Sequence, residues 1–413
     1  MIDNFKRICL IGWAKSSISL CRVLLKLKKE VRVSELKDIN NFDNFLIDRF
    51  SKDGVKFEFS GHTKDFIKDS DLIILSPGVQ LNSTPIEIAK ELNIPYVGEI
   101  EFAFWLTKAR FIAITGTSGK TTTTFLTYKL LKEKFKRVFL GGNIGIPLSS
   151  FILKTNKNDL IVLEVSSFQL QTILLFRPFV AALLNIEPNH LDHHSSFEEY
   201  FSSKMNIFKN QTKEDYAVVN KNMLLLKEVE KHIKSNIVYF SEEFSNEDFS
   251  CAYRIASIFK IDRTTAISLF SRFKGLSHRL QFVRTINGIN FINDSKSTTP
   301  LSTIWALKQL KGKTILIAGG RDKGLDYSVI IPYLGNVKKI NLIGEASSKI
   351  KKALDGYVSV EIFGSLEDAV ISSFQELDKG NILFSPMCSS FDMFSNYKER
   401  GRKFIEIVKN IKN

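Results

Sequence analysis

Residues 114–124 read ITGTSGKTTTT, and this run constrains the fold more than any other stretch of the chain. The apolar residues Phe111–Ile114 look like the end of a strand, and Gly116 and Gly119 let the backbone turn tightly before a helix begins. A strand, a glycine turn and a helix in that order form a phosphate cradle. The turn points backbone N–H groups at phosphate oxygens, and the helix adds the positive end of its dipole. Gly116, Thr117, Ser118, Gly119, Lys120, Thr121 and Thr122 are therefore expected to hold a nucleotide, with Lys120 reaching the β and γ phosphates and the Thr121 hydroxyl binding Mg²⁺. Ile114 stands where the strict motif has glycine, so this is a shortened version, and a plain structural turn is the alternative. Kinases, molecular switches and ATP-driven ligases all use such a turn, so the rest of the chain must decide between them.

At 413 residues and 44% apolar content, the chain is too long for one ordinary core and can build two or three. RICLIG (7–12), VRVSE (31–35) and DLIILSPGV (71–79) have the rhythm of a βαβ unit. A second block starts near residue 94, where an IPYV strand leads into GEIEFAF, and continues through RVFLGG, DLIVLEV and VAALLNI. These buried runs suit a parallel sheet. After GLSHR (275–279) the pattern restarts with INFIND, TILIAGG, INLIG, VSVEIFG and NILFSP, with helix starts signalled at Thr299 and Ser365. The expectation is a three-domain α/β chain. An N-terminal Rossmann-like domain covers 1–93, a central P-loop ATPase-like domain with a mostly parallel sheet covers 94–275, and a C-terminal Rossmann-like domain covers 276–413.

The net charge of +14 lies mostly in scattered lysine, with no arginine-rich tract or base-stacking motif, which argues for a solvated surface and against nucleic acid. The four cysteines lack metal spacing, and no apolar leader or run of membrane-spanning length occurs. A cytoplasmic protein with no membrane partner is expected. Glu164 sits at the end of a strand, where a carboxylate can complete a Mg²⁺ site, although a solvated glutamate is the simpler alternative. Residues 188–208 hold three of the six histidines without a cysteine or an HExxH pattern, so zinc is not indicated. His190 and Asp192 are better placed at the C-terminal end of a strand, where open α/β sheets hold ligands.

Taken together, GTSGKTTTT, GGNIG (141–145), LEVSSFQLQ (163–171), NHLDHH (189–194), GLSHR, NDSKST (293–298), GGRDKG (319–324) and SPMCSSFDMFSNYKERG (385–401) resemble the Mur ligases in kind and order across nearly the whole chain. SSFQL with the SSFD and NYKERG segment is similar to the D-glutamate-adding branch. The resemblance implies a monomeric enzyme of peptidoglycan precursor synthesis that uses ATP to join D-glutamate to UDP-N-acetylmuramoyl-L-alanine through an acyl phosphate. By motif it assigns phosphate binding to Lys120 and Mg²⁺ to Thr121 and Glu164, with two ions expected. It gives His190 the second metal or the reacting carboxylate, and makes Lys204 a carbamylated metal ligand. It also implies that Asn143 contacts both ATP and the muramoyl substrate, that Arg279 reaches the γ-phosphate on domain closure with His278 beside it, and that Asp294 contacts the ATP ribose. Glu35 and Lys37 would bind the UDP part, and Lys296, Thr298, Lys323, Ser390 and Tyr397 would hold D-glutamate.

Several positions depart from the family pattern. The first turn reads GWAKSSIS, with Ala14 and Ser17 where glycines are usual, which leaves Lys15 and two serines to bind the diphosphate through side chains. Ser245 and Asp248 replace the asparagines expected at the adenine, with Asn246 nearby. Gln281 replaces glutamate, and TTP (298–300) replaces threonine-asparagine. Two other readings remain at this point: a related ligase with another amino acid, such as a sibling Mur ligase or folylpolyglutamate synthase, and a P-loop switch that forms no amide bond.

Overall fold

The computed structural model describes residues 2–187, 196–244, 246–273 and 275–411. Two compact units divide the chain, residues 1–271 and 272–413.

The first unit holds two sheets. β1 (Arg7–Ile11), β2 (Glu30–Ser34), β3 (Lys56–Glu58), β4 (Leu72–Leu75) and β5 (Tyr96–Gly98) form a parallel sheet in the order β3-β2-β1-β4-β5. β5 is the IPYV strand expected to open the central block. It instead pairs with β4, because three residues of apolar edge complete the first sheet before the helix Glu99–Trp105 begins. The second sheet is built from β6 (Arg110–Thr115), β7 (Val138–Gly142), β8 (Leu160–Glu164), β9 (Val180–Leu183), β10 (Tyr216–Asn220) and β11 (Asn236–Phe240), all parallel, in the order β11-β10-β9-β6-β8-β7.

The second unit has one sheet of β12 (Gln281–Ile286), β13 (Ile289–Asn293), β14 (Thr314–Gly319), β15 (Val337–Ile343), β16 (Ser359–Phe363) and β17 (Gly380–Phe384), ordered β12-β13-β17-β14-β15-β16. Only the edge strand β12 runs antiparallel, joined to β13 by the tight turn at Asn287 and Gly288.

Apolar runs become strands here because both faces of each sheet are covered. In β14, Ile315 and Ile317 enter one core while Leu316 and Ala318 enter another. In β1, Ile8 and Leu10 face one cluster while Cys9 and Ile11 face the other. Strands buried on both faces show no polar alternation, which is why they read as continuous hydrophobic runs. Strand order then positions the candidate sites. The two neighbours of β6 (β9 and β8), and likewise of β1 (β2 and β4), all come later in the chain but lie on opposite sides of it, so the connections run in opposite directions across the sheet and a crevice opens at the C-terminal ends of these strands.

Candidate active site

The phosphate turn leaves β6 and enters the helix Lys120–Lys134 through Gly119, at φ 76°. A Cβ at this position would lie 2.1 Å from Asp248 Oδ1, so both backbone conformation and space require glycine. The N-cap residue, Gly119, has no side chain to cap this helix, and a helix N-terminus that follows a glycine turn is a place where an anion can sit. The turn is pinned by Asn185, at the end of β9, whose Oδ1 accepts the N–H groups of Thr117 and Ser118, both at 2.9 Å. Lys120 Nζ folds over the turn and donates to the carbonyls of Gly116 (2.7 Å) and Thr117 (2.8 Å). Thr122 is half-buried on the first helical turn.

Glu164 ends β8, next to β6, and is 2% exposed. Its Oε2 accepts the Thr121 hydroxyl at 2.5 Å, and its Oε1 accepts Asn143 Nδ2 at 2.8 Å. A hydroxyl and a carboxylate held this close are hard oxygen donors of the kind that would suit Mg²⁺. Lys204, on the helix Phe197–Met205, is also 2% exposed. Its Nζ donates to Gly116 O at 3.0 Å and sits 4.6 Å from the centre of the Tyr200 ring. Burial, reinforced by the charge of Lys120, holds this amine well below the ordinary lysine range. Gly116 to Thr121, Asn143, Glu164 and Lys204 thus converge on one spot. His190 and Asp192 lie outside the described residues.

A cleft of about 940 Å³ opens beside this spot. It is lined by Gly12, Lys15, Glu35 and Lys37 of the first sheet and by Asn143, so one residue, Asn143, faces the cleft and also bonds Glu164. Glu35 lines the cleft while its carboxylate braces the loop, Oε2 accepting Trp13 N–H at 2.6 Å and Oε1 accepting Lys37 N–H at 2.9 Å.

In the second unit, the loops after β13, β14 and β17 meet. Arg321 N–H donates to Ser389 O at 3.0 Å, tying the GGRDKG loop to the segment that carries Ser390. Lys296 Nζ lies 5.6 Å from the centre of the Tyr397 ring. Ser390 is buried, Thr298 is half-buried, and Lys323 is exposed. Asp294 follows β13, 4% exposed, and accepts Ser385 Oγ (2.8 Å) and Leu280 N–H (3.1 Å), the residue after Arg279. His278, at φ 64°, packs so tightly against Gly401 that a Cβ there would lie 2.2 Å from its Nδ1.

Family models match three stretches of the chain: the MurD N-terminal domain at residues 7–84, the Mur ligase middle domain at 114–292, and the Mur ligase glutamate ligase domain at 278–385. The UDP-N-acetylmuramoylalanine--D-glutamate ligase of Thermoanaerobacter sp. (strain X514) is 35% identical, over 98% of this chain and 99% of its own. The chain is a Mur ligase. The enzyme of the same name from Caldanaerobacter subterraneus subsp. tengcongensis is 36% identical with the same coverage. Among solved structures, UDP-N-acetylmuramate-alanine ligase MurC from Thermotoga maritima superposes with a TM-score of 0.60 at 16% identity, over 98% of this chain and 100% of that one. MurF ligase from Thermotoga maritima in complex with ADP superposes with 0.61 at 17% identity, over 91% and 93%. These structures share the three-domain α/β fold of this Mur ligase.

The departures now have physical readings. In the GWAKSS turn of this Mur ligase, Lys15 and Ser16 line the cleft. Ser17, expected to help bind the diphosphate, is instead spent on the fold, donating to Gly12 O at 2.5 Å and lying 2.7 Å from Ser76 Oγ. Gly12, at φ 87°, remains the tight turn. Gln281 Oε1 accepts His278 N–H at 2.9 Å, an interaction that needs an acceptor and no charge. Thr299 caps the helix Pro300–Lys308 in a reciprocal box with Ser302. Asn246 is occupied capping the helix Glu247–Ile258, and Asp248 accepts Thr123 Oγ1 at 3.2 Å beside Gly119. Ser245 lies outside the described residues.

Two supporting residues escape a motif reading. Asn185 carries no motif of its own, and its position next to Gly116 follows only from β9 pairing with β6. Arg400, 1% exposed, donates to Ser295 Oγ and O, Cys388 O and Ser389 O at 2.9–3.2 Å, clamping together the loops that carry Lys296 and Ser390. The RG pair after NYKE was the available signal.

Asp294 yields a stability prediction. Burial pushes its carboxyl up to about 6, above the ordinary range. The folded state therefore binds more protons than the unfolded state between about pH 4 and pH 6, and stability drops as pH rises through that window. Asp294→Asn removes this cost, so the variant is expected to be more stable than the native chain by about 1–3 kcal/mol at pH 7.5 and indistinguishable near pH 4. Urea unfolding at the two pH values measures it.

Proposed function

We infer that this Mur ligase is the ATP-dependent enzyme that adds D-glutamate to UDP-N-acetylmuramoyl-L-alanine in peptidoglycan precursor synthesis, through an acyl phosphate. The observation that carries the reading is near-full-length identity to D-glutamate ligases, set on a phosphate turn whose Thr121–Glu164 pair adjoins a cleft large enough for a nucleotide sugar. A carboxylate is a poor electrophile. Transfer of the γ-phosphoryl group to it supplies a leaving group; the amine of D-glutamate then attacks the carbonyl carbon, a C–N bond forms, and inorganic phosphate departs.

In this reading Lys120 turns from the carbonyls of its own loop to the β and γ phosphates, and the amides at the helix start cradle them. Thr121 and Glu164 would hold Mg²⁺, which would supply positive charge to offset that of the transferring phosphoryl group. Asn143 joins the nucleotide to the muramoyl end of the cleft, while Glu35 and Lys37 bind the uridine end. His190 orients the reacting carboxylate or a second ion. Arg279 stabilises the γ-phosphate and Asp294 the ribose. Lys296, Thr298, Lys323, Ser390 and Tyr397 hold D-glutamate, two ammonium groups and three hydroxyls suiting a dicarboxylate.

A protonated lysine cannot ligate a metal. The lowered proton affinity of Lys204 makes its neutral form, with a lone pair on Nζ, easier to reach. That lone pair can attack CO₂, forming an N–C bond with loss of a proton to solvent, and the resulting carbamate is an oxygen ligand. The reading also carries a monomeric cytoplasmic enzyme without nucleic-acid or membrane partners. Four buried free thiols suit a reducing compartment, and no helix among the described residues is long and apolar enough to cross a membrane.

Phosphate release from ATP tests the function, with UDP-N-acetylmuramoyl-L-alanine and, separately, D-glutamate, L-glutamate, meso-diaminopimelate or L-lysine. Release that requires both the nucleotide sugar and D-glutamate is expected. Release with a different amino acid would change the acceptor, and release without any would move the chain to the switch reading.

A further inference from the structure

The cleft contains a side chain that no step above uses. His62 is half-buried and lines it together with Gly12, Glu35 and Lys37. Its Nδ1 lies 2.7 Å from the hydroxyl of Ser34, a fully buried residue at the end of β2. Proton counting fixes the direction of this bond. Ser34 has one hydroxyl hydrogen, and it goes to Glu58 Oε2 at 2.8 Å; the other oxygen in reach, the Gly61 carbonyl at 3.3 Å, is also an acceptor only. Glu58 further accepts the Thr63 N–H at 3.1 Å and the Thr63 hydroxyl, as an ionised carboxylate does. Ser34 Oγ therefore has only a lone pair to offer His62. The ring hydrogen must sit on Nδ1, which leaves Nε2 with its lone pair in the neutral imidazole. Burial holds the ring below the ordinary histidine range against the opposing pull of Glu35 and Glu58, so the neutral form prevails at pH 7.

We propose that His62, fixed in one tautomer by the Glu58–Ser34 pair, is a specificity residue of the cleft whose Nε2 accepts a hydrogen bond from the nucleotide, either from the N–H of the base or from a ribose hydroxyl. This assignment rests on reading the cleft as the UDP site. His62 differs in kind from its neighbours there. It offers one ring-nitrogen acceptor, whereas Glu35 offers carboxylate oxygens that each already accept one main-chain N–H group, and the Lys37 side chain only donates.

The test is calorimetric titration of the full chain with UDP, comparing the native protein with His62→Phe, which keeps a flat ring and removes the acceptor, and His62→Ala. The native protein is expected to bind UDP and both variants to bind it about tenfold more weakly, the effect of one hydrogen bond, with thermal midpoints lowered only slightly by loss of the bond to Ser34. Analogues identify the donor. Among 3-methyl-UDP, 2′-deoxy-UDP and 3′-deoxy-UDP, one is expected to bind weakly to the native protein and to lose nothing further in the variants. Equal UDP affinity in native and variant proteins, or analogue penalties that are the same in both, overturns the role of His62. Absence of UDP binding by the native protein overturns instead the reading of the cleft on which it rests.

Discussion

Glu164→Gln is expected to lower kcat by about 10²–10³-fold while leaving the protein folded. Glutamine has the same shape, and its amide can still accept from Thr121 or Asn143, so the local geometry at the end of β8 survives. What it loses is a negative charge, held at 2% exposure one strand away from the phosphate turn. In water such a charge is heavily screened, but in this buried setting its attraction for a divalent cation is much less so. Titrating Mg²⁺ in the phosphate-release assay measures the effect. The variant should need more Mg²⁺ for half-maximal rate, and the rate at saturation should stay depressed. A native rate at native Mg²⁺ would remove Glu164 from the metal site.

Lys204→Met is expected to abolish measurable turnover, a loss of at least about 10³-fold, and at the same time to make the protein more stable near neutral pH. The two effects have one cause. A buried amine costs folding energy because the unfolded chain binds a proton that the folded chain holds weakly. Between the depressed folded value and the ordinary lysine value, stability rises with pH, since the unfolded state carries the extra proton throughout that window. The advantage of the methionine variant should therefore be largest at lower pH and fade as pH approaches 10. Thermal melting of both proteins in CO₂-free, Mg²⁺-free buffer across that range checks the sign. Mass spectrometry of the native protein with and without bicarbonate reads the carbamate directly. A variant that is both active and less stable would make Lys204 an ordinary packing residue.

Much of this protein is legible along the chain. Strands buried on both faces announce themselves as apolar runs, and the turn at 116–121 declares phosphate because its chemistry is local: two glycines, a lysine and a threonine at fixed spacing. The strands that escape a sequence reading are β3, β10, β11 and β12. β3 has three residues, and β11 and β12 are edges with exposed positions, so their hydrophobic signal is diluted. β10 is well buried apart from its first residue, and YAVVN is too short for periodicity to tell a strand from a helix segment.

The sequence by itself determined the α/β class, the phosphate turn and the family, because each is written in contiguous residues whose spacing carries the chemistry. Tertiary structure alone decided which side chains meet. It set Asn185 under the turn, Lys204 on Gly116 O, Arg400 across two loops and His62 on Ser34, and it withdrew Ser17 from the cleft. These pairings join residues far apart in the chain, brought together by strand order, and their protonation follows from burial. Neither strand order nor burial is a property of any short stretch of sequence.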